Sequence, residues 1–197
     1  MEPPTLTRFR EALYPRRAFF DRTSPAEPVA TPTPEPLPLP PVPDLYARLT
    51  EALESGRPGE VARLPPRSDE PEEEVVGFRG HPLLVRTSRA WDRYRPDELV
   101  ARSPQYALEL GLRCAATGSE RGHLVVGYER AETDRDRLQV LEVSFASVTP
   151  FSRLLRERSR GLAGALRDRS PLGLPACPEW MVMDCPYRAT CGCGRPT

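Results

Sequence analysis

The stretch Pro82–Phe145 constrains the fold most strongly, because its pattern alternates strand, helix, strand and strand. His81–Ser88 is a short apolar run of strand length, and Leu124–Tyr128 and Leu138–Phe145 are two further runs of this kind. Strands interleaved with a helix indicate one packed core rather than separate sheet and helix domains. The predicted fold class is therefore α/β, with a central mixed sheet flanked by helices.

A buried helix is predicted between the first two of these strands. Ser103 is a good N-cap, Pro104 suits the first helical position, and Gly118 ends the helix. Apolar residues cover most of its circumference, which is typical of a helix inside a core. Cys114 lies on this helix and is therefore predicted to be a core thiol.

The chain divides by composition into four parts. Residues 1–22 contain two short apolar stretches separated by Pro15, and they predict an N-terminal helix docked on the core. Residues 23–43 are dominated by proline, which excludes helix and sheet and predicts an extended linker. Residues 44–173 hold the α/β core, and residues 174–197 form a Cys-rich segment.

Three smaller elements are predicted before the first core strand. Asp44–Gly56 has the pattern of a short amphipathic helix, and Arg57–Pro71 reads as a loop. Val75–Phe78 is predicted to be a strand that pairs with the next strand through a turn at Arg79-Gly80. These elements would extend the central sheet on its N-terminal side.

Composition excludes some classes of partner. The formal net charge is zero, so no global field attracts nucleic acid or a membrane surface. All 28 basic residues are arginine, which supplies planar, bidentate phosphate donors wherever it clusters. No apolar run reaches the roughly 18 residues of a membrane span, and no apolar signal core opens the chain. We expect a cytoplasmic protein with no membrane partner, in which cysteines are reduced or metal-bound.

A second long helix, Thr149–Arg167, is predicted near the end of the core, with Thr149 as N-cap and Pro150 in its first turn. One face carries an apolar stripe formed by Phe151, Leu154, Leu155, Leu162 and Leu166. The other face carries Arg153, Arg156, Arg158 and Arg160. Two interpretations of the arginine face remain open: a solvated helix surface, or a surface that contacts phosphates.

The Cys-rich segment is the strongest candidate for a metal site. Four of the five cysteines fall within 17 residues, at Cys177, Cys185, Cys191 and Cys193. Thiolates at this density in a reducing compartment predict a zinc ion or an iron–sulfur cluster. The alternative is a set of reduced thiols with a purely structural role.

These segments, in this order, resemble the RecB-like PD-(D/E)XK nucleases, in particular the CRISPR-associated RecB-like exonucleases. The resemblance covers most of the chain outside the linker. Tyr14–Phe20 resembles the family's N-terminal Cys-Pro-Arg-(Arg/Lys)-aromatic motif, and Leu83–Ser88 resembles the strand that carries Glu-x-Lys-Thr-Ser. Trp180–Cys191 resembles the closing Trp-x-Cys-x-x-Cys-Pro-Tyr-Arg-x-x-Cys motif. The intervening helices and strands resemble the family's in order: Pro104–Leu112, Gly122–Tyr128, Leu138–Phe145 and Thr149–Arg167.

The chain departs from the family at the positions that carry hydrolysis. Leu84 stands where the family has its metal-binding Glu, and Arg86 stands where it has the catalytic Lys. Arg102 replaces the Gln of the Gln-x-x-x-Tyr motif, although Tyr106 is kept. The family's upstream Asp has no clear counterpart, and Glu74, or Glu73 beside it, is the nearest carboxylate. Leucine cannot bind a metal and arginine, always protonated, cannot act as a general base.

The cysteine ligands depart as well. Tyr14 and Val182 replace two family cysteines, Cys185 and Cys191 match two others, and the remaining two cysteines of the segment are additional. The resemblance implies an iron–sulfur cluster, and zinc is the alternative. It also implies Mg²⁺ or Mn²⁺ at the nuclease site if the protein is active.

The resemblance implies a metal-dependent DNA exonuclease, with DNA and proteins of CRISPR adaptation or repair as partners. The replaced motif residues favour an inactive DNA-binding or complex-building subunit instead. A third hypothesis is a metal-binding module without a DNA role. A carboxylate on another strand, such as Glu142, could restore hydrolysis. The residues that the resemblance assigns to the nuclease site are Glu74, Arg86 and Tyr106. The residues expected to contact DNA are Arg86, Arg102, Arg153, Arg156 and Arg160.

Overall fold

A computed structural model describes residues 9–24, 61–64, 75–88, 93–95, 97–128, 138–182 and 185–193. The strands are β1 (Val61–Leu64), β2 (Val75–Phe78), β3 (His81–Ser88), β4 (Arg121–Tyr128) and β5 (Leu138–Ser144). The helices are α1 (Phe9–Leu13), α2 (Pro15–Thr23), α3 (Leu99–Arg102), α4 (Pro104–Thr117), α5 (Thr149–Asp168) and α6 (Glu179–Val182).

The strands form one five-stranded sheet in the spatial order β1-β2-β3-β4-β5. The β3–β4 pair is parallel and the other pairs are antiparallel. A parallel pair needs a crossover connection, and α3 and α4 supply it between β3 and β4. The prediction of a mixed α/β core with a mixed sheet flanked by helices is confirmed.

Strand β1 lies in the segment Arg57–Pro71, which was predicted to be a loop, and that prediction is wrong. Its residues pair with β2 from Val61 opposite Phe78 to Leu64 opposite Val75. Four residues carry too little alternation to be recognised alone. The strand is stabilised by a neighbour that the local sequence does not show.

The hairpin between β2 and β3 has the predicted turn. Arg79 and Gly80 both have positive φ, at 53° and 77°, between the pairs Phe78–His81 and Gly77–Pro82. A two-residue loop with positive φ at both central positions matches the right-handed twist of the flanking strands. Glycine adopts this conformation without steric cost, which explains its place in the turn.

Helix α4 ends as predicted, in a left-handed Gly118 with φ of 71°. It also starts as predicted, with Ser103 at the N-cap position and Pro104 in its first turn, but the Ser103 side chain makes no capping hydrogen bond to the helix. The Ser103 hydroxyl instead lies 2.7 Å from the hydroxyl of Tyr94. Helix α5 begins after Val148 rather than after Thr149, and it has no side-chain cap.

The core divides into clusters on the two faces of the sheet. On one face, Leu84, Leu124 and Leu141 pack with Leu110 and Cys114 of α4. Residues of α1, α2 and α5 form a second apolar cluster with other residues of α4. The second face carries Val76, Phe78, Leu83, Val85 and Val125. Burial of Cys114, predicted as a core thiol, raises its pKa to about 12.

The N-terminal helices dock on this core, as predicted. Phe9 of α1 and Phe19 of α2 are buried in the cluster that also contains Leu112 and Leu162. Aromatic residues in a short amphipathic segment need such cover, because leaving them in water forfeits about 1.5–3 kcal/mol each. Proline at the first position of α2 explains why the chain bends there without losing a helical hydrogen bond.

Several predictions concern residues outside the described ranges. These are the linker through Pro43, the helix Asp44–Gly56 and the carboxylate Glu74. Within the described ranges, no helix is both long and apolar enough to span a membrane.

Candidate functional site

Strand β3 carries the two positions on which the nuclease comparison depends. Leu84 is 1% exposed and packs with Leu110 and Leu124 in the core. It contributes apolar surface and no ligand atom at the place where the resemblance expects a carboxylate. Arg86, two residues along, projects on the same face toward α4.

The Arg86 side chain is bound by a buried carboxylate. Its guanidinium forms an ion pair with Glu109 of α4, and Nη1 also donates to the carbonyl of Val85 at 2.8 Å. Glu109 is 5% exposed. Arg113, one turn further along α4, donates from Nη2 to the same Glu109 oxygen at 3.2 Å. One buried carboxylate therefore holds two arginines, and the group as a whole carries one excess positive charge.

Glu109 was not predicted to belong to the site. Its neighbours in the sequence are apolar, and their pattern predicts a buried helix without assigning a role to the carboxylate. One signal was present, because Glu109 and Arg113 stand four residues apart and share a helix face. A charged pair on the buried side of a helix indicates a polar network rather than a solvated surface.

Two tyrosines border the Arg86–Glu109 pair. Burial raises the pKa of Tyr106 above its usual range, and Tyr94 raises it further while Arg86 lowers it. Burial also raises the pKa of Tyr14, with Glu109 acting in the same direction and Arg86 against it. Both phenols therefore stay protonated at neutral pH and can donate hydrogen bonds. Neither is a nucleophile or a general base under these conditions.

Arg102 lies on an aromatic side chain rather than beside Arg86. Its guanidinium is 5.1 Å from the ring centroid of Tyr94, and it donates to Glu98 at 3.3 Å. Tyr94 in turn packs edge-on against Tyr106 at 6.3 Å. The aromatic pair thus connects Arg102 to the Arg86–Glu109 pair. The structure places Arg86, Arg102 and Tyr106 in one neighbourhood.

Glu142, considered as a replacement carboxylate, is in a different place. It pairs with His123 across β4 and β5, whereas Leu124 pairs with Leu141 on the face that packs against α4. Alternate residues of a strand point to opposite faces. Glu142 therefore lies on the second face of the sheet and away from Arg86.

The arginine face predicted for α5 is exposed only in part, because Arg158 is half-buried and its burial lowers its pKa. Arg153, Arg156 and Arg160 are exposed, and they recur at helical spacing along one side. Arg153 lies 3.9 Å from Glu157, and Arg160 donates to the carbonyl of Arg156 at 3.3 Å. Surface ion pairs of this length contribute little stability, so these side chains can turn toward an anionic partner.

The four cysteines of the C-terminal segment are brought together. Cys177, Cys185, Cys191 and Cys193 are all buried in one cluster, against which Tyr14 packs. The backbone N–H of Cys177 donates to Sγ of Cys193 at 3.3 Å, and that of Cys193 donates to Sγ of Cys191 at 3.4 Å. Val182 belongs to the same cluster. Cys177 and Cys193 therefore lie beside Tyr14 and Val182.

The thiols differ in acidity. Burial raises the pKa of Cys177 to about 12, and neighbouring Cys193 acts in the same direction. Burial also acts to raise the pKa of Cys193, but the backbone N–H of Cys177 and the thiols of Cys191 and Cys177 donate to its sulfur. These hydrogen bonds and the nearby Arg16 leave the Cys193 pKa below its ordinary value. Cys193 is thus more readily ionised than Cys177, and thiolate is the form that binds metal.

Arg16 of α2 forms two hydrogen bonds with the C-terminal part of the chain. It donates from Nη2 to the carbonyl of Leu174 at 2.6 Å and from Nη1 to the carbonyl of Cys191 at 3.3 Å. The Tyr187 ring stacks on Phe20 with centroids 5.4 Å apart. The N-terminal helix and the C-terminal segment therefore form one packed unit.

Within the ranges that the structure describes, no group of three or more His, Cys, Asp or Glu side chains is arranged to hold a metal ion as it stands. Thiolates are the ligands that soft metals prefer, so the four cysteines are the residues from which such a site would be built. Four thiols share one buried cluster, and N–H groups donate to two of the sulfurs. Hydrogen bonds of this kind stabilise thiolate ligands in metal sites.

The fold and the site together define a mixed α/β protein with a buried arginine–glutamate network and a cysteine cluster.

No known family model matches the chain, and no curated protein matches it. Among solved structures, the crystal structure of SSO0001 is similar, with a TM-score of 0.53 and 13% sequence identity. The match covers 100% of this chain and 90% of that chain. At this identity the similarity concerns the fold alone.

Proposed function

We propose that this chain is a nuclease-fold protein of the RecB-like PD-(D/E)XK type that binds DNA without cleaving it efficiently. The observation that carries the proposal is the surroundings of two side chains of β3, Leu84 and Arg86. Leu84 is a core residue, and Arg86 is held by Glu109 instead of facing an open metal site. We propose proteins of CRISPR adaptation or repair as partners, on the sequence resemblance alone.

The chemistry of phosphodiester hydrolysis supports loss of cleavage. Mg²⁺ and Mn²⁺ require oxygen ligands, and the ion must contact the scissile phosphate. Near Arg86 the described carboxylate is Glu109, which already binds two guanidinium groups. Displacing them with a metal ion would break the ion pair between Glu109 and the buried Arg113, which is unfavourable.

DNA binding is supported by the exposed arginines of α5. Arg153, Arg156 and Arg160 present three guanidinium groups along one helix side, where bidentate phosphate contacts are favourable. Arg86 contributes less than the family's lysine would, because Glu109 neutralises it. This mode of binding is independent of sequence and sensitive to salt.

The test of this function is DNA affinity as a function of salt, measured by fluorescence anisotropy with single-stranded and duplex oligonucleotides. We expect binding at low salt and a steep decrease in affinity as salt rises. Replacing Arg153, Arg156 and Arg160 by glutamine should reduce the slope of log K against log salt by about 2 on single strands. The matched control removes the same charge from exposed arginines outside α5: Arg10, Arg95 and Arg188.

Cleavage is assayed with the same oligonucleotides and Mn²⁺. Turnover at roughly one per second or faster would overturn the non-cleaving proposal. Glu74→Gln, Glu109→Gln and Glu142→Gln would then identify the carboxylate responsible. If the wild-type protein fails to bind DNA at low salt, or the control triple variant loses as much slope as the α5 variant, the DNA-binding proposal is wrong.

The cysteine cluster is proposed to hold one metal centre, either zinc or an iron–sulfur cluster. Cys177, Cys185, Cys191 and Cys193 would be its ligands, with thiolate bonds to the metal replacing the present thiol contacts. Such a centre would fasten the C-terminal segment onto α2 and add folding free energy, as structural metals do. Elemental analysis of protein purified without oxygen should find iron or zinc, and absence of both would leave only structural thiols.

A further inference from the structure

Two cysteines near opposite ends of the Cys-rich segment are in contact. Cys177 and Cys193 are 16 positions apart in the sequence, and the backbone N–H of Cys177 donates to Sγ of Cys193 at 3.3 Å. The Cys177 thiol donates to the same sulfur. All five cysteines of the chain are free thiols in the structure. Thiols in such contact can form a disulfide without a large movement of the backbone.

One arginine holds the stretches that flank the two cysteines. Arg16 donates from Nη2 to the carbonyl of Leu174, three residues before Cys177. It donates from Nη1 to the carbonyl of Cys191, two residues before Cys193. The guanidinium is planar and rigid, so it fixes the separation of the two carbonyls that it binds. Arg16 of α2 is therefore a positioning residue for the cysteine pair.

Cys193 has a second sulfur neighbour, because its backbone N–H donates to Sγ of Cys191 at 3.4 Å. A bond between residues two positions apart would close a very short loop, and short loops are too stiff to adjust to the geometry that a disulfide requires. Gly192 between them has φ of 69°, so the chain there already forms a tight turn. A bond to Cys177 closes a longer loop and leaves this turn unchanged. Cys177 is thus the favoured partner.

Burial limits the kind of oxidant that can react with this pair. Cys177 is 8% exposed and Cys193 is 3% exposed. Oxidation of a thiol follows its exposure, so a bulky disulfide such as oxidised glutathione is kept from these sulfurs. Hydrogen peroxide is small and reaches sulfurs that larger oxidants do not. The oxidant that fits this pair is therefore a small peroxide.

We propose that Cys177 and Cys193 form a reversible disulfide when the metal-free protein reacts with a peroxide. Sγ of Cys193 attacks one peroxide oxygen, the O–O bond breaks, and a sulfenic acid and one water form. Sγ of Cys177 then attacks that sulfur, the S–O bond breaks, and a second water leaves. Each thiol proton leaves in one of the two waters, and the two sulfurs together transfer two electrons to the peroxide.

The disulfide would regulate the metal centre proposed above, and in this respect the inference rests on the proposed function. A sulfur in a disulfide is no longer available as a thiolate, which is the form that binds metal. Oxidation therefore removes two of the four proposed ligands, and the metal and the disulfide exclude one another. In the oxidised protein the bond would tie the start of the Cys-rich segment to its end.

The experiment counts the free thiols of the full chain. Protein freed of metal by a chelator is treated with hydrogen peroxide, denatured and titrated with a thiol reagent, and its peptides are mapped by mass spectrometry. We expect the number of free thiols to fall from five to three and the bond to join Cys177 to Cys193. Dithiothreitol should restore all five thiols. The proposal is overturned if no thiol is lost, if the loss is not reversed, or if the bond joins another pair.

Two pairs of variants test the partner and the positioning residue. Cys191→Ser should lose two thiols in peroxide, as should the core control Cys114→Ala, and a Cys191→Ser variant that forms no bond would refute the choice of Cys177. Arg16→Gln should shift the equilibrium with dithiothreitol about tenfold toward the thiols, because the two flanking stretches lose their shared donor. Arg17→Gln removes the same charge from the same helix and should leave the equilibrium unchanged. An unchanged equilibrium in Arg16→Gln would refute its positioning role.

The redox proposal and the metal proposal fail in different ways. A protein that forms the disulfide but carries neither iron nor zinc retains the redox proposal and refutes the metal centre. A protein that carries metal but keeps all five thiols in peroxide after the metal is removed does the reverse.

Discussion

Replacing Glu109 by glutamine tests whether the charge of Glu109 stabilises the fold, or whether its side chain contributes only by packing. The substitution keeps the shape and removes the charge that neutralises Arg86 and Arg113. Arg86 is 34% exposed and can turn to water, whereas Arg113 is 11% exposed and cannot. Removing one partner of a buried pair costs about 3–5 kcal/mol, and because Arg86 can escape we expect about 3 kcal/mol.

The assay is equilibrium unfolding in urea together with thermal melting. For a chain of this size about 3 kcal/mol corresponds to a decrease in Tm of roughly 6–12 °C. The double variant Glu109→Gln with Arg113→Met should recover much of the loss, because it also removes the buried guanidinium that pairs with Glu109. Glu157→Gln, an exposed carboxylate on α5, should stay within about 0.5 kcal/mol of wild type.

Glu109→Gln should also change the affinity for DNA. Freed from Glu109, Arg86 gains access to phosphate, so Glu109→Gln should bind DNA more tightly than wild type at low salt. A loss of stability below about 1 kcal/mol would show that the pair is effectively solvated, and the reasoning on burial would fail. Weaker DNA binding by the folded variant would refute the claim that Glu109 restrains Arg86.

Three further predictions follow from other parts of the molecule. Gly111→Ala should cost about 1–3 kcal/mol in thermal melting, because a Cβ there would overlap the Phe151 ring of α5. Burial holds the pKa of His123 below 6.5, and His81 and Arg79 lower it further while Glu142 raises it. The contribution of the neutral ring to the free energy of unfolding should therefore be complete above about pH 6.5 and decrease as pH falls toward the folded-state pKa. His123→Gln should remove this decrease, measured by urea unfolding at a series of pH values. Cys193→Ser should abolish bound metal in elemental analysis, whereas Cys114→Ala should retain it.

The sequence predicted the core elements because their signals are local. The helix Pro104–Thr117 has a proline start, a glycine stop and a continuous apolar surface, and each of these is visible without tertiary information. The Arg79-Gly80 turn was equally readable from its position between two apolar runs. Strand β1 was missed, because four residues gain their conformation from pairing with β2 rather than from their own pattern.

The site was predictable only in part. Arg86 and Tyr106 were identified by their positions in a motif, and the structure does place them close together. Glu109 was missed because a carboxylate within an apolar helix can be exposed or buried, and sequence periodicity alone does not decide which. The 6.0 Å separation of the His81 and His123 rings depends on the parallel register of β3 and β4, in which Leu83 lies opposite His123 and which no local pattern fixes.

The contacts of Arg16 have a consequence for how the chain is made. Its partners Leu174 and Cys191 follow it by 158 and 175 residues, so they leave the ribosome long after it does. Translation proceeds at about 5–20 residues per second, so α2 is synthesised roughly 10–35 s before the segment that covers it. During that interval Phe20 lacks its stacking partner Tyr187 and presents apolar surface to chaperones. A C-terminal truncation would make this transient exposure permanent, and nascent chains are where such a defect would first appear.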